Sequence, residues 1–210
     1  MQDETWEARA AAAANLCGID EAGRGPLAGP VCAAAVILPS DFPIRILADS
    51  KVLSRARRES AAAIIRDRAR AWALGWASPG EIDEMNILSA TLLAMSRAYE
   101  GLGMEADLVL VDGNRLPSLP VPSLAVVRGD GLVPEVMAAS ILAKTARDRV
   151  MERYDWLYPE YGYARHKGYP SREHRELCAR FGPSPIQRMT FRVKSEGPGM
   201  PDGHPGPGGG

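Results

Sequence analysis

One apolar run that ends in an acidic residue constrains the fold of this chain more than any other feature. Residues 106–112 (ADLVLVD) place four consecutive apolar residues between Asp107 and Asp112, and Gly113-Asn114 follow them. Such a run, without alternation of polar residues, is typical of a strand that is buried on both faces. Residues 124–127 (LAVV) repeat the pattern. We therefore expect a sheet against which helices pack.

The rest of the chain predicts an α/β protein with a mixed sheet. Residues 16–20 and 31–38 are predicted strands, and the short Gly/Pro-rich link 23–30 between them favours antiparallel neighbours. A third strand is predicted over residues 72–77. Helices are predicted over 54–71, from Ser78 through Met95, over 134–154 and over 171–181. Paired early strands followed by strands that alternate with helices indicate a central mixed sheet flanked by helices.

The length of 210 residues favours one compact domain with tails. We expect an N-terminal extension over 1–14, a catalytic domain that includes a C-terminal helical portion over 15–194, and a disordered Gly/Pro-rich tail over 195–210.

The sequence has no run of about 18 apolar residues, so we expect no membrane span. The acidic N-terminus is unlike a secretory signal, and the odd number of cysteines has no metal or redox spacing. These features predict a cytoplasmic protein with reduced thiols.

Acidic residues follow three of the predicted strands. Asp20-Glu21 end the first, Asp112 ends the run 106–112, and Asp130 follows residues 124–127 within Arg128-Gly129-Asp130-Gly131. Each acid alone is typical of a solvated strand end or a turn. If the strands end on one side of the sheet, four carboxylates face each other, and their repulsion requires bound cations. Hard oxygen ligands select Mg²⁺ or Mn²⁺, and two such ions perform phosphoryl chemistry.

The geometry at Asp20 and Glu21 stays open at this point. Adjacent side chains on a regular strand point to opposite faces, so both serve one site only if the chain bends or if one residue contributes its carbonyl. The turn that follows, Gly23-Arg24-Gly25, lets the backbone approach a ligand closely and adds a guanidinium that matches phosphate. Its glycine spacing does not fit a dinucleotide-binding turn, and the chain has no P-loop, no G-x-S-x-G elbow and no zinc-ligand spacing.

The charge pattern predicts a local nucleic-acid contact. The 25 Lys and Arg balance 26 Asp and Glu over the whole chain, so a global positive field is absent. Residues 142–194, however, carry twelve Lys and Arg against six Asp and Glu, interleaved with five tyrosines. This combination suits phosphate contacts beside stacking on sugars or bases. Asp49-Ser50-Lys51 is either a helix cap with a solvated lysine or a further phosphate contact.

Taken together, these segments resemble the ribonuclease HII family, the type 2 ribonucleases H. The resemblance covers roughly residues 15–192 and rests on motifs at matching order and spacing. They are 18–30 (GIDEAGRGPLAGP), 49–51 (DSK), 111–113 (VDG), 129–130 (GD), 138–144 (AASILAK), 147–148 (RD) and 166–169 (HKGY).

The resemblance implies a ribonuclease H-like fold with a small C-terminal helical extension. It implies an endonuclease that hydrolyses the RNA strand of RNA/DNA hybrids and cuts 5′ of single ribonucleotides in duplex DNA, leaving a 3′-hydroxyl and a 5′-phosphate. Two Mg²⁺ or Mn²⁺ ions would act during catalysis. The family's four metal ligands fall on Asp20, Glu21, Asp112 and Asp130.

The resemblance also assigns substrate contacts. The turn that reads the ribose 2′-hydroxyl matches Gly23, Arg24 and Gly25, and the tyrosine that stacks on the sugar matches Tyr169. Phosphate contacts fall on Lys51, Lys144 and Lys167, whereas Asp148 is expected to pair with nearby arginines.

The implied partners are RNA/DNA hybrid and ribonucleotide-containing duplex DNA, and we expect a monomer without an obligate protein partner. The tail has no glutamine-led clamp-binding motif of the kind that some family members carry. Two alternatives remain at this point: a catalytically silent hybrid-binding module, and a different metal nuclease on the same fold, such as a junction resolvase.

Overall fold

The computed structural model describes residues 5–47 and 54–191. Its elements follow the chain in the order α1 Trp6–Ala12, β1 Leu16–Ala22, β2 Val31–Ile37, α2 Arg55–Arg68, β3 Ala71–Ala77, α3 Pro79–Met85, α4 Ile87–Glu100, β4 Leu108–Asp112, β5 Ser123–Val126, α5 Pro134–Leu157, α6 Tyr163–His166 and α7 Arg172–Phe181. Short 3₁₀ turns lie at Ile44–Ile46, Gly129–Gly131 and Pro159–Tyr161.

The five strands form one mixed sheet in the order β3-β2-β1-β4-β5. Strands β1 and β2 are antiparallel, as are β2 and β3, which confirms the arrangement predicted from the short link 23–30. Strands β1, β4 and β5 run parallel to one another. Because parallel strands end at the same edge of a sheet, this topology brings the ends of β1, β4 and β5 together.

Helices cover both faces of the sheet, as predicted. Alternate residues of β2 divide between two apolar clusters, one with α4 and the other with α2 and α5. Val31, Ala33, Ala35 and Ile37 face α4, while Cys32, Ala34 and Val36 face α2 and α5. All seven residues of β2 are buried, which is why the segment has no polar alternation.

Helix α5 lies close against β1 because β1 carries a glycine at the contact. A Cβ atom on Gly18 would lie 2.2 Å from the carbonyl carbon of Glu135 and 2.3 Å from the nitrogen of Val136. No side chain fits that space. The close contact sets α5 beside the carboxyl end of β1, where Asp20 lies.

The helix predicted from Ser78 through Met95 is wrong as a single element. The structure divides it into α3 and α4 at Asn86, whose φ is +73°. The Asn86 side chain accepts hydrogen bonds from the N–H groups of Leu88 and Ser89, so it caps the second helix. The apolar spacing continues through the break, which is why periodicity alone did not reveal it. Strand β1 also runs two residues further than predicted, through Glu21 and Ala22.

The C-terminal part forms the expected small helical portion. Helices α6 and α7 lie beside an apolar cluster of Ala28, Met151, Tyr161, Tyr163 and Ile186. Within residues 5–47 and 54–191, no helix is long and apolar enough to cross a membrane. The motif 49–51 and the tail 195–210 lie outside the described residues.

Candidate metal and nucleic-acid site

The parallel strands bring three predicted acids to one edge of the sheet. Ile19 of β1 and Val111 of β4 are paired in register, so Asp20 and Asp112 occupy the next positions on neighbouring strands. Asp130 follows β5 in the turn Gly129–Gly131, and its N–H donates a hydrogen bond of 3.2 Å to Oδ1 of Asp112. The structure therefore places together residues that lie up to 110 positions apart in the sequence.

Asp20 is the most buried of these acids, with 5% of its surface exposed. Its Oδ1 accepts a hydrogen bond of 2.7 Å from the N–H of Glu21, and its carboxylate also bonds the side chain of Ser140 on α5. Burial, followed by the charges of Glu21 and Asp112, raises the pKa of Asp20 well above its ordinary value. A buried carboxylate beside two others is stabilised by a bound cation.

Glu21 belongs to the same electrostatic group. Burial raises the pKa of Glu21, the charge of Arg24 opposes that shift, and the charge of Asp112 adds to it. Arg24 lies 3.4 Å from the Glu21 carboxylate. Strand β1 stays in regular register with β2 at both acids, so the chain does not leave the sheet between them.

Two neighbouring carboxylates, those of Asp20 and Asp112, are the oxygen donors that a hard divalent cation prefers. Within the described residues, no group of three or more His, Cys, Asp or Glu side chains is gathered so that it could hold a metal ion. Mg²⁺ commonly keeps several waters and uses one or two protein carboxylates, and the adjacent Asp20 and Asp112 meet that requirement. Asp130 joins this group through its backbone N–H.

A pocket of about 270 Å³ is lined by one of these acids, Glu21. Its lining combines Glu21 and Gly23 with Arg58, Ser140, Lys144 and Tyr169. The Lys144 ammonium donates a 2.8 Å hydrogen bond to Asp148 and lies 5.7 Å from the centre of the Tyr169 ring. The pocket thus combines an acid, two cations and an aromatic ring, a set of groups that fits a phosphodiester with its sugar.

The glycine turn borders the same pocket. Gly23 has φ +99°, and a Cβ there would lie 2.0 Å from Nε of Arg147. A Cβ on Gly25 would lie 3.7 Å from Cε1 of Tyr169, so the turn and this ring are neighbours. Tyr169 keeps 40% of its surface exposed. The turn and the tyrosine, predicted as substrate contacts, are therefore brought together.

One of the three predicted phosphate lysines lies away from the pocket, and another falls outside the described residues. Lys167 does not line the pocket: its ammonium donates hydrogen bonds to Glu152 at 2.7 Å and to the Ala164 carbonyl at 2.9 Å. Lys51 lies outside the described residues. Asp148 pairs with Lys144 and Arg58, so it contacts one arginine and one lysine rather than two arginines.

Sequence reasoning gave no site role to four residues near the site, namely Arg58, Ser140, Arg147 and Arg188, although Ser140 and Arg147 lie within the quoted motifs. Ser140 and Lys144 are four residues apart on α5 and Arg147 follows three later, so helical spacing could have placed all three on one face. Arg58 is one of several arginines at the start of α2, and Arg188 follows α7 in an irregular segment. Neither has a local pattern that would distinguish it.

Comparisons with known proteins point to one family. The family model described as ribonuclease HII matches residues 17–194. The ribonuclease HII of Treponema denticola is 56% identical over 197 residues, which cover 86% of this chain and 99% of that protein.

Two solved structures are similar along most of their length. The ribonuclease H2 of Pyrococcus horikoshii superposes with a TM-score of 0.71 at 28% identity and covers 85% of this chain and 94% of its own. A structure of the PCNA:RNase HII complex from Archaeoglobus fulgidus gives a TM-score of 0.71 at 27% identity, covering 87% of this chain and 98% of its own. These likenesses confirm the predicted ribonuclease H-like fold. With its family match over most of the chain and its identity to a named relative, this chain belongs to the ribonuclease HII family and is a metal-dependent endoribonuclease.

Proposed function

We propose that this enzyme cuts the RNA strand of RNA/DNA hybrids and cuts 5′ of single ribonucleotides embedded in duplex DNA, leaving a 3′-hydroxyl and a 5′-phosphate. One observation carries the proposal: Glu21, which interacts electrostatically with Asp20 and Asp112, lines a pocket together with Gly23, Lys144 and Tyr169. The carboxylates supply hard ligands for phosphoryl chemistry, and the pocket supplies contacts for a sugar-phosphate backbone.

We propose that the metal ligands are Asp20, Glu21, Asp112 and Asp130, which would hold two Mg²⁺ or Mn²⁺ ions. Because β1 does not bend between Asp20 and Glu21, Glu21 would serve the site of Asp20 through its backbone carbonyl. When bound, the ions activate the attacking water and stabilise the leaving 3′-oxygen. Asp20 is the residue placed to be shared, because it lies between Glu21 on its own strand and Asp112 on the next. Ser140 holds the Asp20 carboxylate through a hydrogen bond.

The substrate contacts follow from the geometry of the pocket. Gly23, Arg24 and Gly25 would read the ribose 2′-hydroxyl through the backbone, since a glycine turn approaches the minor groove where side chains would block it. Tyr169 would stack on the sugar, and Lys144 would contact a phosphate. Lys167 and Lys51 are kept as phosphate contacts, and for Lys167 this requires release from Glu152.

The proposed partner is the nucleic-acid duplex alone. We propose that the enzyme acts as a monomer without an obligate protein partner. We also propose a cytoplasmic location, where its three unpaired cysteines would stay reduced.

The test uses purified protein and a labelled DNA duplex that carries one ribonucleotide. It is incubated with Mg²⁺, with Mn²⁺ or with chelator, beside a matched all-DNA duplex. We expect metal-dependent cutting 5′ of the ribonucleotide and no cutting of the control. Binding without cutting in either metal would favour a silent hybrid-binding module, and preferential cutting of four-way DNA would favour a junction resolvase.

A further inference from the structure

Arg188 is fully buried and binds the backbone of the glycine turn. Its Nη2 donates a hydrogen bond of 2.6 Å to the carbonyl of Gly23, and its Nη1 donates one of 2.9 Å to the carbonyl of Arg24. Its Nε donates a third, of 2.9 Å, to the carbonyl of Gly29. A residue from the C-terminal portion thus fixes two consecutive peptide groups of the turn.

A second buried guanidinium supports the same loop. Arg147 of α5 donates hydrogen bonds to the carbonyls of Pro30 at 3.0 Å, Ala28 at 3.2 Å and Lys167 at 3.1 Å. The last of these ties the loop to the HKGY segment that carries Tyr169. Arg147 also lies 5.8 Å from the centre of the Tyr169 ring.

Neither arginine forms a salt bridge with a carboxylate of the described residues. Burying a cation without an anion is costly, and apolar residues of similar volume are often as stabilising in a core. The planar guanidinium, however, offers several donors in a fixed arrangement that matches neighbouring carbonyl oxygens. We therefore explain the two buried arginines by the way their guanidinium groups fix the carbonyl groups of the loop in place.

Peptide geometry gives the consequence for the turn. In a planar trans peptide the C=O of one residue and the N–H of the next point in opposite directions, and the described backbone contains no cis peptide. Because Arg188 holds the carbonyls of Gly23 and Arg24, the N–H groups of Arg24 and Gly25 point away from it. Neither N–H donates a hydrogen bond to another part of the described chain. Two adjacent donors are thus left available beside Tyr169.

We propose that Arg188 is a positioning residue that presents the N–H groups of Arg24 and Gly25 to the 2′-hydroxyl oxygen of the substrate, and so sets the preference for ribonucleotide over deoxyribonucleotide. The inference rests on the proposed function and adds a residue to it. Arg188 itself does not touch the substrate in this scheme. A lysine in its place keeps the charge but lacks the planar fork that holds two successive carbonyls.

The test compares Arg188→Lys with its parent in an Asp112→Asn background, which is expected to bind without cutting. Dissociation constants are measured for a duplex with one ribonucleotide and for the matched all-DNA duplex. We expect the preference, the ratio of the two constants, to fall about tenfold, as for a lost hydrogen bond, while affinity for all-DNA duplex stays unchanged. Arg172→Lys is the matched control, because Arg172 is an exposed residue of α7 that pairs with Glu176.

The outcomes separate the two proposals. A parent that binds both duplexes alike would overturn the proposed function and this inference with it. A parent that prefers the ribonucleotide, with a folded Arg188→Lys that keeps the full preference or loses both affinities equally, would overturn the role of Arg188 alone.

A second measurement needs no variant at Arg188. In the Asp112→Asn protein, the amide ¹H–¹⁵N signals of Arg24 and Gly25 are followed during addition of each duplex. We expect both signals to shift further with the ribonucleotide duplex than with the all-DNA duplex. Equal shifts would contradict the inference even if Arg188→Lys failed to fold.

Discussion

The N–H of Asp130 donates a hydrogen bond of 3.2 Å to Oδ1 of Asp112, so the loop after β5 is fastened to the end of β4 through one of the proposed metal ligands. The Asp112 carboxylate therefore has two interactions: it accepts the hydrogen bond from the Asp130 turn, and its charge raises the pKa of Asp20 and of Glu21. A substitution that keeps the oxygen acceptor and removes the charge separates them.

Asp112→Asn is expected to abolish cutting while preserving the fold. The amide oxygen still accepts the Asp130 hydrogen bond, but the charge that would hold a cation is lost, so activity should fall by roughly 10²-fold or more. Initial rates on the ribonucleotide duplex and thermal melting provide the measurement. Asp67→Asn, on the exposed surface of α2, is the control and should leave both unchanged. Undiminished cutting by Asp112→Asn would show that the site is assigned wrongly.

Asp20→Asn is expected to stabilise the protein in chelator. Asp20 is buried beside Glu21 and Asp112, so removing its charge relieves both the repulsion between the carboxylates and the cost of burying a charge. In a domain of this size, Tm should rise by about 2–4 °C for each kcal/mol by which the free energy of unfolding increases. Mg²⁺ should raise the Tm of the wild type, since an ion bound by the folded state stabilises it, and should raise that of Asp20→Asn less. Melting curves with and without metal give the result; a lower Tm for Asp20→Asn in chelator would contradict it.

Gly23→Ala is expected to destabilise the protein and impair cutting. The backbone at φ +99° costs about 1–3 kcal/mol for a residue with a Cβ, and that Cβ would also collide with Arg147. Gly113→Ala is a matched comparison, because Gly113 has the same φ and nothing lies within 4 Å of its Cβ position. Urea denaturation should show a larger loss for Gly23→Ala, and equal losses would mean that the Arg147 contact contributes nothing.

Tyr169 is expected to act through its ring. Stacking of a base or sugar on an aromatic ring contributes about 1–3 kcal/mol, so Tyr169→Ala should lower kcat/KM roughly tenfold or more, whereas Tyr169→Phe should keep most of the activity. Trp156→Ala provides a control, because Trp156 is 81% exposed and does not line the pocket. Equal losses in the Phe and Ala variants would instead assign the effect to the hydroxyl.

The contribution of His166 and His174 to stability is expected to fall as the pH drops below about 6.5. Burial lowers the pKa of both His166 and His174, whose rings stack at 4.3 Å. The unfolded chain therefore binds protons that the folded chain does not, and unfolding becomes more favourable as the pH falls. When Tm is measured from about pH 7.5 to about pH 5.5, acidification should lower the Tm of the wild type relative to that of His174→Asn, which retains one of the two imidazoles. A slope that is the same in both proteins would show that the histidines do not cause it.

Much of this architecture is determined by local sequence. The apolar run that ends at Asp112 predicted a buried strand, the short link 23–30 predicted the antiparallel pair, and Ser54, Ser78 and Ser171 cap helices near where patterning placed their starts. The break at Asn86 was missed, because a cap inside a continuous apolar periodicity produces no gap in the pattern. Helices, strands and caps are predictable in this way because they depend on residues that are close in the sequence.

The site depended on the tertiary structure. Sequence identified acids at three strand ends, but only the parallel pairing of β1, β4 and β5 brings Asp20, Asp112 and the turn of Asp130 to one edge. In the same way, Lys167 was a predicted phosphate contact, yet the fold pairs it with Glu152. Arg188 is separated from Gly23 by 165 residues, and no local pattern distinguishes it from other arginines. Contacts of this kind form when distant segments pack, so the sequence by itself determined which groups are available and the tertiary structure decided which of them meet.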